Sequence, residues 1–238
     1  MRLVNLTFQD PINNIAFDEA LLNELDQQPG EETFRLWESP DPLAVIGRSS
    51  RIYDEVNLEY CAQQCIPVFR RCTGGLSVVA GPGCLMYAVV LDLRKRPELR
   101  QLDEAHCFVL SKLRSALQAA GVDVSIKGSC DLTIGERKVS GNALRICRNA
   151  LLYHGTLLNT FDMDLIFKCL KMPHRQPDYR QQRSHEEFLT QLNSDPQKIR
   201  DSLVHEWSAI ENTQELPKQA MKKLVDEKYS QHEWNFRI

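Results

Sequence analysis

Apolar positions recur along the chain with two periods, and the changes between them mark its elements. Residues 2–8 predict a strand, after which Asp10-Pro11 predicts a helix start. Asp suits the N-cap there, and Pro suits the first turn, where its missing N–H has no helical partner to lose. Phe17, Leu21 and Leu25 recur at four-residue spacing and give that helix a buried stripe until Pro29-Gly30 ends it. Two short strands are predicted at 33–37 and 43–46, separated by the turn that Pro40 and Pro42 favour. A short helix over 57–65 follows, then strands at 67–70 and 76–80 around a glycine-bearing turn, and an apolar strand over 84–92. Leu110, Leu113, Leu117 and Ala120 line one face of the longest predicted helix, roughly 101–120, which Gly121 closes.

From Val122 the β period returns, with strands predicted at 124–126, 132–134, 139–146 and 151–158. Gly135-Glu136 suits a two-residue hairpin with glycine first. Beyond these strands the helical period takes over at 162–170, 184–192, 195–207 and 215–229, interrupted by a Pro-, Gln- and Arg-rich loop over 171–183. The fold class read from this order is α+β, with mixed, largely antiparallel sheets flanked by helices. One domain is expected to span residues 1–238.

Composition fits a globular domain, since 42% of residues are hydrophobic and 26% charged over 238 positions. The balance of 29 basic against 32 acidic side chains gives a net charge of −3. That lacks the basic excess needed to grip a phosphate backbone, so nucleic acid is not expected as a partner. No signal peptide is legible at the N-terminus, and the longest apolar run, 84–91, is too short to span a bilayer. The expectation is a cytoplasmic protein without a membrane partner. The eight cysteines are scattered rather than dense, so reduced thiols are expected. Cys61 and Cys65 lie four apart on a predicted helix, but no second pair follows at zinc spacing, and core packing is the expected role.

Candidate chemistry sits in two glycine-bearing segments. Arg70-Arg71-Cys72-Thr73-Gly74-Gly75 sets guanidinium groups beside bare backbone N–H groups, a combination suited to phosphate or carboxylate. Neither a Walker loop nor a Gly-x-Gly-x-x-Gly fingerprint is present, and by residues alone two surface turns with a solvated arginine pair fit equally. In the second segment, Lys138 and Ser140 project to one face of a strand and Val139 to the other, so the lysine and the hydroxyl share a side. A compact ammonium beside glycine suits neutralising a phosphate, although a lone strand lysine is more often simply solvated.

Taken together, the two segments carry a resemblance. The chain resembles the catalytic domain of the lipoate–protein ligase A family, which groups with biotin protein ligases and lipoyl or octanoyl transferases and is distantly similar to class II aminoacyl-tRNA synthetases. Arg70 to Gly75 matches the family's Arg-Arg-x-Ser/Thr-Gly-Gly-Gly signature, and Arg137-Lys138-Val139-Ser140-Gly141 matches its Arg-Lys-Val-Ser-Gly element. In the same order come Trp37 with Val45-Ile46-Gly47-Arg48 and Glu55-x-Asn57, then Tyr153-His154-Gly155-Thr156-Leu157-Leu158, and finally Glu233-Trp234-Asn235-Phe236.

The resemblance implies a class II synthetase or biotin protein ligase-like fold and a two-step acyl activation. ATP and lipoate would give lipoyl-adenylate and pyrophosphate, and the ε-amine of a carrier lysine would then form the amide. By the match, Lys138 bridges carboxylate and α-phosphate as the catalytic residue. Arg70, Arg71, Gly74, Gly75, Leu76, Ser77, Val78 and Val79 would hold the nucleotide or adenylate, together with Gly141 and His154. Asp131 would reach the ribose or Mg²⁺, and apolar strand residues would form the tunnel for the dithiolane chain. The implied partners are apo lipoyl domains of 2-oxoacid dehydrogenase complexes or the glycine-cleavage carrier protein.

The sequence departs from the pattern at Leu76, which replaces the third glycine, at Ala80-Gly81, which replaces His-Asp, and at Cys130, which replaces Asn. The Gly81-Pro82-Gly83 turn is closer to octanoyl transferases. An ATP-independent lipoyl or octanoyl transferase, directly or through a cysteine thioester, and a non-catalytic lipoate-binding paralogue therefore stand beside the ligase reading. The chain ends where the family's large domain ends, so the accessory domain of longer ligases is expected to be absent and a separate accessory protein to be a further partner. His174, Arg175, Arg180, Arg183 and His185 form a local basic patch, read as a solvated loop, with docking of an acidic lipoyl domain as the alternative.

Overall fold

A computed structural model describes residues 1–211 and 215–237 of the chain. In chain order the elements are β1 (Arg2–Asn5), α1 (Pro11–Gln27), β2 (Thr33–Trp37), β3 (Leu43–Ile46), α2 (Ile52–Glu55), α3 (Leu58–Gln63), β4 (Val68–Arg70), β5 (Val78–Ala80), β6 (Cys84–Asp92) and α4 (Leu102–Ala119). There follow β7 (Ser125–Lys127), β8 (Asp131–Ile134), β9 (Arg137–Ser140), β10 (Asn142–Ile146), β11 (Ala150–Leu158), α5 (Met163–Cys169), α6 (His185–Phe188), α7 (Pro196–Glu206), β12 (Ile210–Glu211), α8 (Lys218–Leu224) and α9 (His232–Asn235).

The central sheet has the order β10-β11-β6-β2-β1-β12, antiparallel from β10 to β2 and parallel beyond. Both of its faces are covered. Along β6, Cys84, Met86, Ala88 and Val90 pack towards α1, whereas Leu85, Tyr87, Val89 and Leu91 pack towards α4 and α7. The two-residue period sorts one strand into two cores, which is why residues 84–92 read as continuously apolar. Of two smaller sheets, β4-β3-β5 gives Leu43, Val45 and Val79 to the α1 core, and the antiparallel meander β7-β8-β9 gives Leu132 and Val139 to the α4 core. No helix among the described residues is long and apolar enough to cross a membrane.

Local signals act as expected. The Asp10 carboxylate accepts from the Ile12 N–H and caps α1, and the Gly135 turn joins β8 to β9 with Ile134 opposite Arg137. Several boundaries differ for tertiary reasons. Residues 139–146 are not one strand, because the chain bends at Gly141 and hands over from the meander to the central sheet. Helix 184–192 stops at Phe188, since Leu189 bridges to Lys138 and Thr190 donates to the Lys138 carbonyl, drawing the chain along β9. The last long helix begins at Lys218 and ends in a π-helical turn at Val225–Tyr229. Cys61 is buried and Cys65 exposed, so the pair faces different environments and shares nothing.

A buried ion pair ties α1 to the sheet. Arg35 on β2 donates to Asp18 Oδ1 at 2.6 Å, to Asn14 Oδ1 at 2.7 Å and to the carbonyls of Asn14 and Leu6, with Phe17 and Trp37 stacked against it. Burial pushes the Asp18 carboxyl up, but Arg35 and a hydrogen bond from His154 outweigh it and hold Asp18 below the ordinary aspartate range. Removing one partner of such a pair strands the other charge in the core. Arg35→Met is therefore expected to cost roughly 3–5 kcal/mol, read as a lowered urea midpoint at pH 7. Because the folded-state pKa is depressed, this contribution stands above the unfolded carboxyl pKa and is lost as pH falls through the folded one. The difference between wild type and variant should accordingly shrink only in strongly acidic buffer.

Candidate active site

The second and third sheets and the α1 face of the central sheet enclose a cavity of about 940 Å³. Its wall takes Ile15 and Asp18 from α1, Trp37 and Met86 from the central sheet, and Val45 and Val78 from the β3 sheet. Asp131 and Lys138 enter from the meander and His154 from β11. Beside it lies a smaller space of about 100 Å³, lined by Val79, Leu158, Ile166, Leu170, Phe188 and Leu189. Leu76, Ser77, Val78, Lys138 and Gly141 border both.

The glycine loop forms the lip. Its exit is anchored by Glu55, whose carboxylate accepts from the Ser77 N–H at 2.8 Å and from the Ser77 hydroxyl at 2.7 Å. Gly75 has φ +86°, a conformation that side-chain-bearing residues rarely adopt, and Gly47 passes so close beneath it that a Cβ would strike the Gly75 carbonyl oxygen. Leu76, in the position of the family's third glycine, is 36% exposed at the cavity mouth.

The adjacent arginines separate. Arg71 is 7% exposed and lines the cavity; it donates to Thr73 Oγ1 (3.0 Å), Val45 O (3.2 Å), Gly74 O (2.5 Å) and Leu76 O (2.9 Å). Burial brings its guanidinium down to about 10, so it remains charged at neutral pH. Arg70 corrects the expectation of a paired anion site. It is fully buried and turned away, donating to the carbonyls of Gly47, Arg48, Ser50, Trp234, Asn235 and Arg237. The reason is strand alternation: consecutive residues at the end of β4 face opposite sides.

On the opposite wall, Lys138 Nζ lies 2.7 Å from Asp131 Oδ1, while Tyr179 donates its hydroxyl to Asp131 Oδ2 at 2.7 Å. Ser140 shares the Lys138 side and Val139 enters the core, as the strand period predicted. Each oxygen of Asp131 thus has one partner within the fold. No group of three metal-ligating side chains exists among the described residues. Cys130 contacts the Asn142 carbonyl, and burial, with Asp131 beside it, pushes its thiol up.

His154, which the resemblance assigns to the adenylate site, lines the cavity and is engaged at both ring nitrogens. Its Nδ1 lies 2.9 Å from Asp18 Oδ2 and its Nε2 2.7 Å from Thr73 Oγ1. Although the order carboxylate, imidazole, hydroxyl resembles a nucleophile triad, Thr73 is 1% exposed and already accepts from Arg71. Thr73 therefore buttresses the loop. The basic patch also divides: His174 and Arg175 are exposed at the cavity, but Arg180 is 4% exposed, lies 4.7 Å from the Phe188 ring and correct the picture of a uniformly solvated loop. Sequence reasoning passed over Asp18 and Tyr179. A carboxylate among Phe17, Leu21 and Leu22 on a buried helix face was the available signal for Asp18, whereas nothing local marked Tyr179.

With this geometry in place, comparison with known proteins is decisive for the family. A model of the lipoyl protein ligase A/B catalytic domain matches residues 10–205. The chain belongs to this family. It is 34% identical to a putative lipoate-protein ligase A of Aeropyrum pernix over 67% of this chain and 58% of that protein. It is 26% identical to lipoate-protein ligase A subunit 1 of Thermoplasma acidophilum over 94% of this chain and 92% of that one. The chain spans about half the length of several other curated relatives it matches. The fold is shared with the bi-partite lipoate protein ligase of Thermoplasma acidophilum, described with its E2 lipoyl domain, at TM-score 0.85, 23% identity, and coverage of 99% of this chain and 95% of that one. It is also shared with a lipoate-protein ligase A bound with ATP, at TM-score 0.81, 24% identity, and coverage of 99% and 98%.

The loop geometry separates two neighbouring glycines. Gly74→Ala meets no atom within 4 Å and should leave the urea midpoint unchanged. Gly47→Ala, forced against the Gly75 carbonyl, should lower stability by about 1–3 kcal/mol in the same measurement.

Proposed function

We propose that this chain activates lipoate with ATP as lipoyl-adenylate and passes the lipoyl group to a lysine of a carrier lipoyl domain. The observation that carries this reading is the position of Lys138, whose ammonium stands where the two spaces meet, opposite the Arg71-bearing loop. Apolar side chains at Ile15, Trp37, Val45, Met86 and Ala143 would receive the acyl chain in the larger space. The loop from Gly74 to Val79, with Arg71, would hold the nucleotide, and Gly141 and His154 would complete the wall. Arg70 would contribute only by holding the loop's base.

In the first step a lipoate carboxylate oxygen attacks the α-phosphorus of ATP, and the bond to the bridging oxygen breaks to release pyrophosphate. Negative charge gathers on the non-bridging oxygens, and Lys138 supplies fixed positive charge against it in a partly desolvated cleft, while Arg71 holds the nucleotide in the ground state and the transition state alike. In the second step the carrier amine attacks the acyl carbon, AMP leaves, and the amine loses a proton. Lys138 again faces the departing phosphate. Mg²⁺ fits as a companion of the ATP phosphates, whose oxygens are its usual ligands, with Asp131 as the carboxylate that would reach the ribose or the ion.

The relatives named as ligases, the ATP-bound neighbour and the bi-partite Thermoplasma system support ATP use, a carrier lipoyl domain as partner and a separate accessory protein. Carriers in 2-oxoacid dehydrogenase complexes or glycine cleavage fit this reading. A thioester route through Cys130 is disfavoured, because a thiolate is the attacking species and this thiol is pushed up, not down.

Incubation with ATP, Mg²⁺, lipoate and an apo lipoyl domain should add one lipoyl group to the carrier, read by intact mass; no mass gain, with and without an accessory subunit, would sink the ligase reading. Lys138→Ala should reduce lipoate-dependent exchange of pyrophosphate into ATP by roughly 100-fold or more. Loss of the ion-pair partner of the buried Asp131 should lower the variant's stability in urea by about 1–3 kcal/mol with the fold retained, because Tyr179 still donates to that carboxylate. Cys130→Ala should transfer lipoate at a rate close to wild type, measured on the same carrier.

A further inference from the structure

Asp18 is buried and ionised, and neither step above uses it. Its two oxygens divide their duties: Oδ1 takes Arg35 and Oδ2 takes His154 Nδ1. A carboxylate can only accept, so in a neutral imidazole the single ring proton sits on Nδ1 and Nε2 is left as an acceptor. The Thr73 hydroxyl, 2.7 Å from Nε2, must then donate to it, which turns its lone pairs towards the Arg71 Nε–H at 3.0 Å. With the neutral ring, donors and acceptors along this line match in one direction only. With Nε bound to Thr73, Nη1 to Val45 and Nη2 to Gly74 and Leu76, one Nη1 proton of Arg71 is left for the cavity it lines.

We propose that Asp18 is a positioning residue for the nucleotide: through His154 and Thr73 it fixes the rotation of the Arg71 guanidinium, and so the direction in which Arg71 meets an anionic ligand. The line crosses four parts of the fold, running from α1 through β11 to the glycine loop and to Arg71 at the end of β4. The same carboxylate that pairs with Arg35 in the core thereby orients a cation in the cavity. Thr73, at 1% exposure and outside the cavity lining, offers no surface to a ligand, so any effect of altering its hydroxyl on ligand binding must pass through its neighbours.

The inference rests on the ligase reading for its kinetic test and on spectroscopy for an independent one. Thr73→Val removes the hydroxyl at nearly constant volume. It should raise the apparent KM for ATP in pyrophosphate exchange about tenfold, the order expected for one hydrogen bond to a charged group, while kcat changes less than about threefold. Thr73→Ser, which restores the hydroxyl, should return KM to within about twofold of wild type. A wild-type KM in Thr73→Val, a loss confined to kcat, or a Ser variant as impaired as Val would overturn the proposal. Nitrogen-15 NMR of histidine-labelled wild-type protein, with His154→Phe used to assign the signal, should show His154 as the neutral Nδ1–H tautomer. An Nε2–H tautomer or a doubly protonated ring would overturn the relay whatever the kinetics. If wild type shows no lipoate-dependent exchange, the ligase reading fails and the tautomer alone decides the relay.

Discussion

The glycine loop at the cavity lip, residues 71–77, has no hydrogen-bond ladder of its own, and two consecutive buried guanidinium groups supply what a ladder would. Arg70 gathers six carbonyls from residues 47–50 and from the C-terminal segment, while Arg71 gathers those of Val45, Gly74 and Leu76. Buried backbone carbonyls left unpaired are costly, and an arginine fork can satisfy several that no strand is placed to reach. The loop can therefore stay irregular, with backbone available to a ligand, and still hold one shape. Trp234 closes the arrangement from the far side, donating its indole N–H to the Arg70 carbonyl while Lys228 and Arg237 lie over its ring.

Stability and the site share parts in this molecule. Asp18 serves Arg35 in the core and His154 at the cavity, and Glu19 beside it accepts from Arg145, Lys228 and Tyr229, joining α1 to β10 and to the C-terminal segment. The neighbouring Asn142 accepts from the Tyr87 hydroxyl and donates to the Cys130 carbonyl, so the turn before the meander's second strand is tied to the central sheet. Lys138 and Asp131 thus sit on a meander whose position is set by polar contacts, not only by apolar burial.

Much of the element order was legible because the relevant signals are local. Strand alternation placed Lys138 and Ser140 on one side, the four-residue stripe of α1 and the face of α4 were readable as core, and the glycine loop stood out by composition. What failed did so where a distant partner overrode the local pattern. Residues 139–146 look like one strand because nothing in their apolar pattern records the change of sheet at Gly141. Residues 189–192 look helical until β9 offers them a bridge. Arg70 and Arg71 look alike in sequence, and Arg180 looks solvated, until Phe188 and the carbonyls around Arg70 are in place.

The sequence by itself determined the family, the period of most elements and the identity of the chemical groups, since ordered motifs and side-chain periodicity need no knowledge of distant contacts. Only the tertiary structure decided which charged groups face the cavity and which are spent within the fold. Direction is the reason: a side chain's partners are chosen by where neighbouring elements cross, so Asp18, Thr73 and Tyr179 acquire their roles from residues far away in the chain. The same crossing assigns Arg71 to the ligand side and Arg70 to the frame.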